Sequence, residues 1–146
     1  MKKLFRPSIK KQQLDVILLL VRITIGSFML FHGITKLQTL FSGAPIQFPD
    51  PLGVGATASL AFAVFAEVGC SILILVGLAT RLAVIPLMIT MLIAAFVVLG
   101  TQGFLKQELA LVYLLVYITL FITGSGKYSV DRLITANNTA VNRQGI

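Results

Sequence analysis

Four long apolar segments follow one another along the chain, over about residues 14–40, 56–79, 82–103 and 107–124. Each is long enough to cross the hydrocarbon core of a bilayer, which takes roughly 20 residues of helix. The first two are separated by "FSGAPIQFPDPLGVGA", where prolines and glycines end one helix and delay the next. The other connections are short, so consecutive helices should lie antiparallel. The pattern predicts an all-α membrane protein, an antiparallel bundle of four transmembrane helices.

Basic residues are unequally divided between the two ends of this bundle. Residues 1–13 form a basic N-terminal tail, residues 14–136 the transmembrane domain, and residues 137–146 a C-terminal tail that is expected to be flexible. Nine Lys and Arg residues fall on the side of the two tails, and only Lys36 and Lys106 fall on the other. The positive-inside rule therefore predicts that both termini are cytoplasmic.

Composition supports the same class of protein. Hydrophobic residues make up 57% of the 146-residue chain, charged residues make up 12%, and the mean hydropathy is +0.95. The net charge of +7 is explained by topology. No basic stripe interleaved with exposed aromatic residues is present, so the lipid bilayer is the expected partner and nucleic acid is not.

Several kinds of redox and metal chemistry are disfavoured by residue counts. Cys70 is the sole cysteine, so the chain has no internal disulfide and no dithiol relay. His32 is the sole histidine, which excludes bis-histidine haem ligation within one subunit. No cluster has metal-ligand spacing, so we expect no metal and no intrinsic cofactor.

Two charged residues fall inside apolar segments, where an unpaired charge is costly. A rise of 1.5 Å per residue places Arg22 about 12 Å from the cytoplasmic start of the first helix and Glu67 about 18 Å from the cytoplasmic end of the second. We therefore expect Arg22 and Glu67 to interact directly or through water or a ligand. Alternatively, Glu67 is protonated and bonds to Ser71 or to a backbone carbonyl. A structural ion pair and a ligand or proton site both remain open.

Other polar and small residues share the faces of these charges. On the first helix, Gly26 and Gly33 lie on the face of Arg22 and should let a neighbouring helix approach closely, whereas Lys36 should reach the outer interface. On the fourth helix, two tyrosines one turn apart can add hydroxyl groups. The candidate pocket residues are Arg22, His32, Lys36, Glu67, Ser71, Tyr113 and Tyr117, and no catalytic residue is assigned.

The bundle's cytoplasmic side offers a further pair of opposite charges. Arg81 follows the second helix and Asp131 follows the fourth, so both should lie on this side. We expect them to pair across the bundle, although surface pairs contribute little energy.

Three stretches, "VRITIGSFMLFHGITKL", "AEVGCSILILVGLATRLA" and "GSGKYSVDRLI", resemble the DoxX family of small bacterial inner-membrane proteins. The resemblance implies a four-helix bundle in the bacterial inner membrane. It also implies a link to redox chemistry, because the family is named after a subunit of a thiosulfate:quinone oxidoreductase and relatives are linked to redox-stress responses. The matching positions are Arg22, Gly26, His32, Gly33, Lys36, Glu67, Gly77, Arg81, Gly124, Gly126, Tyr128, Ser129 and Asp131.

Three functions are compatible with these features. The first is a membrane subunit, accessory rather than catalytic, that binds a quinone or lipid-like ligand near Arg22 and Glu67 and assists a redox partner protein. The second is a small proton-coupled exporter that uses Glu67. The third is a membrane anchor or assembly factor without a ligand. Faces of small residues are also suited to a homo-oligomer.

Overall fold

The computed structural model describes residues 10–136, which form helices joined by loops and contain no strand. Four helices are long and apolar enough to cross a membrane, which confirms the predicted fold class. We number them α1 (Lys11–Phe41), α2 (Ala56–Val76), α3 (Thr80–Val98) and α4 (Phe104–Thr123). The predictions for the outer parts of the two tails, residues 1–9 and 137–146, lie outside the described residues.

The helix ends follow local hydrogen bonding rather than hydropathy. α1 begins before its apolar run because the Gln13 side chain accepts a hydrogen bond from the backbone N–H of Lys10 (3.1 Å). α3 ends at Val98 instead of near residue 103, and the Gln107 side chain donates to the carbonyl oxygens of Leu99 and Gly100 beyond it. These bonds satisfy backbone groups that helix ends leave unpaired.

Two of the helices contain a π-helical stretch. The stretches are Phe65–Cys70 in α2 and Ile93–Val98 in α3. A π turn accommodates an extra residue in an α-helix, and such turns occur frequently at functional sites. Glu67 lies in the first stretch, so the side chains after it are rotated relative to the helical wheel that a regular period predicts.

Glycines allow α1 and α2 to meet closely. A Cβ atom added to Gly33 would lie 2.7 Å from Val68 Cγ2 and 2.9 Å from the backbone carbonyl carbon of Glu67. At Gly26, an added Cβ would lie 2.9 Å from Leu75 Cγ. The obstruction at Gly33 is partly backbone, which cannot move aside as a leucine side chain can.

The N-terminal part of α1 and the segment after α4 meet at one end of the bundle. The backbone N–H of Lys127 donates to Asp15 Oδ1 (2.9 Å). Asp131 accepts hydrogen bonds from the backbone N–H groups of Ala79 (2.8 Å) and Thr80 (3.4 Å), and so caps α3. Residues 130–136 are helical. We call this the terminal end of the bundle; the loop end carries residues 42–55 and 99–103.

The expected pairing of Arg81 with Asp131 is wrong. Arg81 donates to the carbonyl oxygen of Ile122 at the end of α4 (3.1 Å), and Asp131 is occupied by the first amides of α3. A carboxylate at a helix N-terminus accepts hydrogen bonds from amides that have no partner within the helix, and it also faces the positive end of the helix dipole.

Replacing Gly33 by alanine should destabilise the bundle, because the new methyl group would overlap the α2 backbone. We expect Gly33→Ala to lower the free energy of unfolding by about 1–3 kcal/mol in mixed-micelle unfolding experiments. Gly69→Ala is the matched control, since a Cβ there meets its nearest neighbour at 3.7 Å. Equal stabilities of the two variants would contradict the close contact of α1 with α2.

Candidate functional site

A cavity of about 620 Å³ lies at the loop end of the bundle, with walls from all four helices. Its lining is predominantly apolar. The loop between α1 and α2 contributes residues that border the cavity, namely Phe48, Pro49, Pro51 and Leu52. Both π-helical stretches also contribute to the wall, through Glu67 in α2 and Val98 in α3, among others.

An ion pair forms part of the cavity wall. Lys36 Nζ donates to Glu67 Oε1. The Glu67 side chain is 2% exposed, whereas that of Lys36 is 32% exposed. The ammonium also lies 5.7 Å from the centroid of the Phe48 ring, within the range of a cation–π interaction. Lys36 therefore links α1, α2 and the loop between them, residues 42–55, which we call the covering loop.

Two aromatic side chains bring further polar groups to this wall. The rings of His32 and Tyr113 meet edge to face, with centroids 6.2 Å apart and planes at 83°. Both residues line the cavity. Neither the imidazole nor the Tyr113 hydroxyl has a hydrogen-bond partner among residues 10–136. Both groups are thus available to a ligand.

Arg22 does not meet Glu67, so the predicted interaction between them is wrong. The Arg22 guanidinium donates to the carbonyl oxygens of Ser125 and Tyr128, the latter at 2.7 Å, and it packs against Gly77 at the terminal end. Gly33, not Arg22, lies level with Glu67. Because Gly33 is about 16 Å further along α1, the two charges are at different depths.

Two other predicted pocket residues lie outside the cavity. Ser71 and Tyr117 are fully buried and do not line it, and neither hydroxyl has a partner in the described part of the chain. Glu67 therefore does not bond to Ser71. The structure groups four of the seven candidates around the cavity, His32, Lys36, Glu67 and Tyr113, and leaves Arg22, Ser71 and Tyr117 apart.

The covering loop is tied to α2 by a residue that the sequence analysis missed. Asp50 accepts hydrogen bonds from the Ser59 hydroxyl (2.6 Å) and from the backbone N–H groups of Gly55 (2.7 Å) and Val54 (3.1 Å). An aspartate in a turn is a known signal for hydrogen bonds to the backbone N–H groups of the residues that follow it. It was hidden here because the surrounding prolines and glycines indicated only a connection.

Lys106 is a cavity residue that is also missing from the candidate pocket residues predicted from the sequence. It lies in the first turn of α4 and lines the cavity, although its position two residues before Glu108 is typical of a solvated helix start. The useful signal was its side of the membrane, because only Lys36 and Lys106 among the Lys and Arg residues were predicted for that side.

Comparison with known proteins identifies the family. The DoxX family model matches residues 17–100. The chain is also 32% identical over 143 residues to the uncharacterized membrane protein Rv3486 of Mycobacterium tuberculosis (strain ATCC 25618 / H37Rv), with 82% of each protein covered. The chain belongs to the DoxX family. No solved structure is significantly similar to it. The family match contains Lys36 and Glu67, while Tyr113 lies beyond it.

Removing the Arg22 guanidinium should loosen the terminal end. In the wild-type protein two carbonyl oxygens accept charge-assisted hydrogen bonds from Arg22, and Arg22→Met leaves them without a donor. We therefore expect the free energy of unfolding to fall by about 2–3 kcal/mol. Amide exchange in residues 124–131 should accelerate. Arg81→Met is the control, because Arg81 is exposed and makes one such bond, and should cost less than about 1 kcal/mol. Equal effects of both changes would contradict this role of Arg22.

The anchoring of the covering loop should depend on pH. Hydrogen bonds hold the pKa of Asp50 below its ordinary value of 3.8. The bond from the Ser59 hydroxyl has the largest effect, and the bond from the Gly55 backbone N–H has the next largest. A lowered carboxyl pKa stabilises the fold above the unfolded-state pKa, and this contribution disappears as pH falls through the folded-state pKa. We expect Ser59→Ala to raise the Asp50 pKa, as measured by carbon NMR titration in micelles. Ser42→Ala, whose hydroxyl bonds to Thr39, should leave it unchanged; equal titration of Asp50 in wild type and Ser59→Ala would refute the assignment.

Proposed function

We propose that this DoxX-family protein binds a quinone-like or other amphipathic small molecule in the cavity at the loop end. The observation that carries the proposal is an apolar cavity of about 620 Å³ whose lining includes a small number of polar groups. Sites for such molecules combine apolar walls with a small number of placed polar groups. His32, Lys36, Glu67 and Tyr113 supply those groups here.

The shape of the cavity suits a molecule that arrives through the membrane. Several of its lining residues are also exposed on the outer surface of the helices, including Phe62 and Phe65 of α2 and Leu109 of α4. In a bilayer these faces meet lipid. A polar head can therefore lie beside Lys36 while an apolar tail passes between these side chains.

We further propose that the protein acts as an accessory membrane subunit of a redox complex in the bacterial inner membrane. The family resemblance implies such a complex, and a bound quinone needs a partner protein that supplies or accepts its electrons. Both termini are proposed to be cytoplasmic, because the basic residues concentrate at the terminal end. The cavity would then lie in the outer half of the membrane. Homo-oligomer formation stays a prediction.

Filling the cavity should abolish binding without altering its charges. Ala63 is buried and lines the cavity, whereas Ala61 lies two residues away on the exposed surface of α2. We expect Ala63→Phe to weaken the binding of a short-chain benzoquinone at least about tenfold, measured by calorimetry on purified protein in mild detergent, because the new ring occupies the space of the ligand. Ala61→Phe should bind it as wild type does.

Two results would refute this function. One is a wild-type protein that binds no quinone and carries no amphipathic molecule when the extracted sample is examined by mass spectrometry. The other is undiminished binding by Ala63→Phe, provided that helix content and thermal unfolding show that the variant is folded.

A further inference from the structure

The available hydrogen-bonding groups in the cavity are mainly donors. Lys36 directs one hydrogen bond to Glu67, and an ammonium group has three N–H donors, so two remain. The Lys106 ammonium has no ion pair or hydrogen bond within residues 10–136. The Tyr113 hydroxyl and the His32 ring each add a donor.

Strong acceptors are scarce on the same walls. Glu67 Oε1 accepts from Lys36, and Oε2 is buried without a partner and without appreciable accessible surface. Ser59 and Thr90 also line the cavity, but their hydroxyl groups already donate to Asp50 and to the Pro86 carbonyl oxygen. Among the side chains of the cavity wall, the acceptors that a ligand can reach are therefore hydroxyl oxygens and one imidazole nitrogen.

The distribution of positive charge also favours a ligand that accepts hydrogen bonds. Within the described chain, Lys36 and Lys106 are the two Lys or Arg residues at the loop end, and both line the cavity. Glu67 neutralises one of them. Among the residues that line the cavity, this leaves one positive charge without a counter-charge, and it favours a head group whose oxygens carry partial negative charge and accept hydrogen bonds.

We propose that the cavity binds the oxidised form of a quinone in preference to its quinol, an inference that rests on the proposed function. Quinone carbonyl oxygens only accept hydrogen bonds and so match the available donors. Quinol hydroxyl groups must also donate, and in this cavity they find few acceptors. A buried donor left without a partner lowers affinity.

This preference has a redox consequence. Oxidation of the quinol releases two electrons and two protons and forms two carbonyl groups. Because tighter binding of the oxidised form favours this direction, the bound couple should have a lower midpoint potential than the free couple. A tenfold difference in affinity corresponds to about 30 mV for a two-electron couple.

The preference can be measured directly on the wild-type protein. We expect a short-chain benzoquinone to bind about tenfold more tightly than the quinol made from it, in anaerobic calorimetry on protein in mild detergent. Equal affinities, or tighter binding of the quinol, would overturn the inference and leave the proposed function intact. Failure of both forms to bind would instead overturn the proposed function and this inference with it.

Matched variants assign the effect to the donors. Lys106→Met should weaken quinone binding more than quinol binding, whereas Lys127→Met makes the same change at the terminal end and should alter neither. Tyr113→Phe should likewise reduce the preference. Tyr117→Phe removes a hydroxyl one turn away that does not line the cavity, and should preserve the preference. A preference unchanged in both Lys106→Met and Tyr113→Phe would refute the donor argument.

Discussion

A carboxylate among apolar helices needs a cation or hydrogen-bond donors close by, since desolvating the charge costs several kcal/mol or more. Lys36 supplies the cation for Glu67, and it can do so because α1 and α2 meet at Gly33. Gly33 and Lys36 are three residues apart and therefore on neighbouring positions of one helix face. The contact that brings the two backbones together thus also carries the ammonium to the carboxylate, and the cavity wall depends on both.

The two ends of the bundle are built differently. At the terminal end, Arg22, Asp15 and Asp131 bond mainly to backbone groups, so separate segments are joined irrespective of their side chains. At the loop end the helices leave a cavity, and Lys36 and Asp50 fix the loop that borders it. Such a division leaves a cavity at one end of a small protein whose other end is joined by several hydrogen bonds.

Hydropathy was sufficient to predict the four helices, because the length of an apolar segment can be read from the sequence without knowing which residues it contacts. The hydrogen-bond partners of Arg22 could not be predicted from the sequence. They are the backbone carbonyl oxygens of Ser125 and Tyr128, and every residue type has such an oxygen. Lys36 was expected at the interface, and its pairing with Glu67 depends on the relative depth of α1 and α2. Packing at Gly33 fixes that depth, and hydropathy does not report it. The cavity could not be predicted from hydropathy either, because it forms where the packed helices separate.

The π-helical stretch of α2 sets a register between the two ends of the molecule. Glu67 lies within the stretch and Gly77 follows it, and both face α1, one beside Gly33 and the other beside Arg22. Winding the same residues Phe65–Cys70 as a regular α-helix, without loss of a residue, would turn everything after them by up to about 100°. The extra residue therefore adjusts the helical phase of α2, so that the same helix places Glu67 at the cavity and Gly77 beside Arg22.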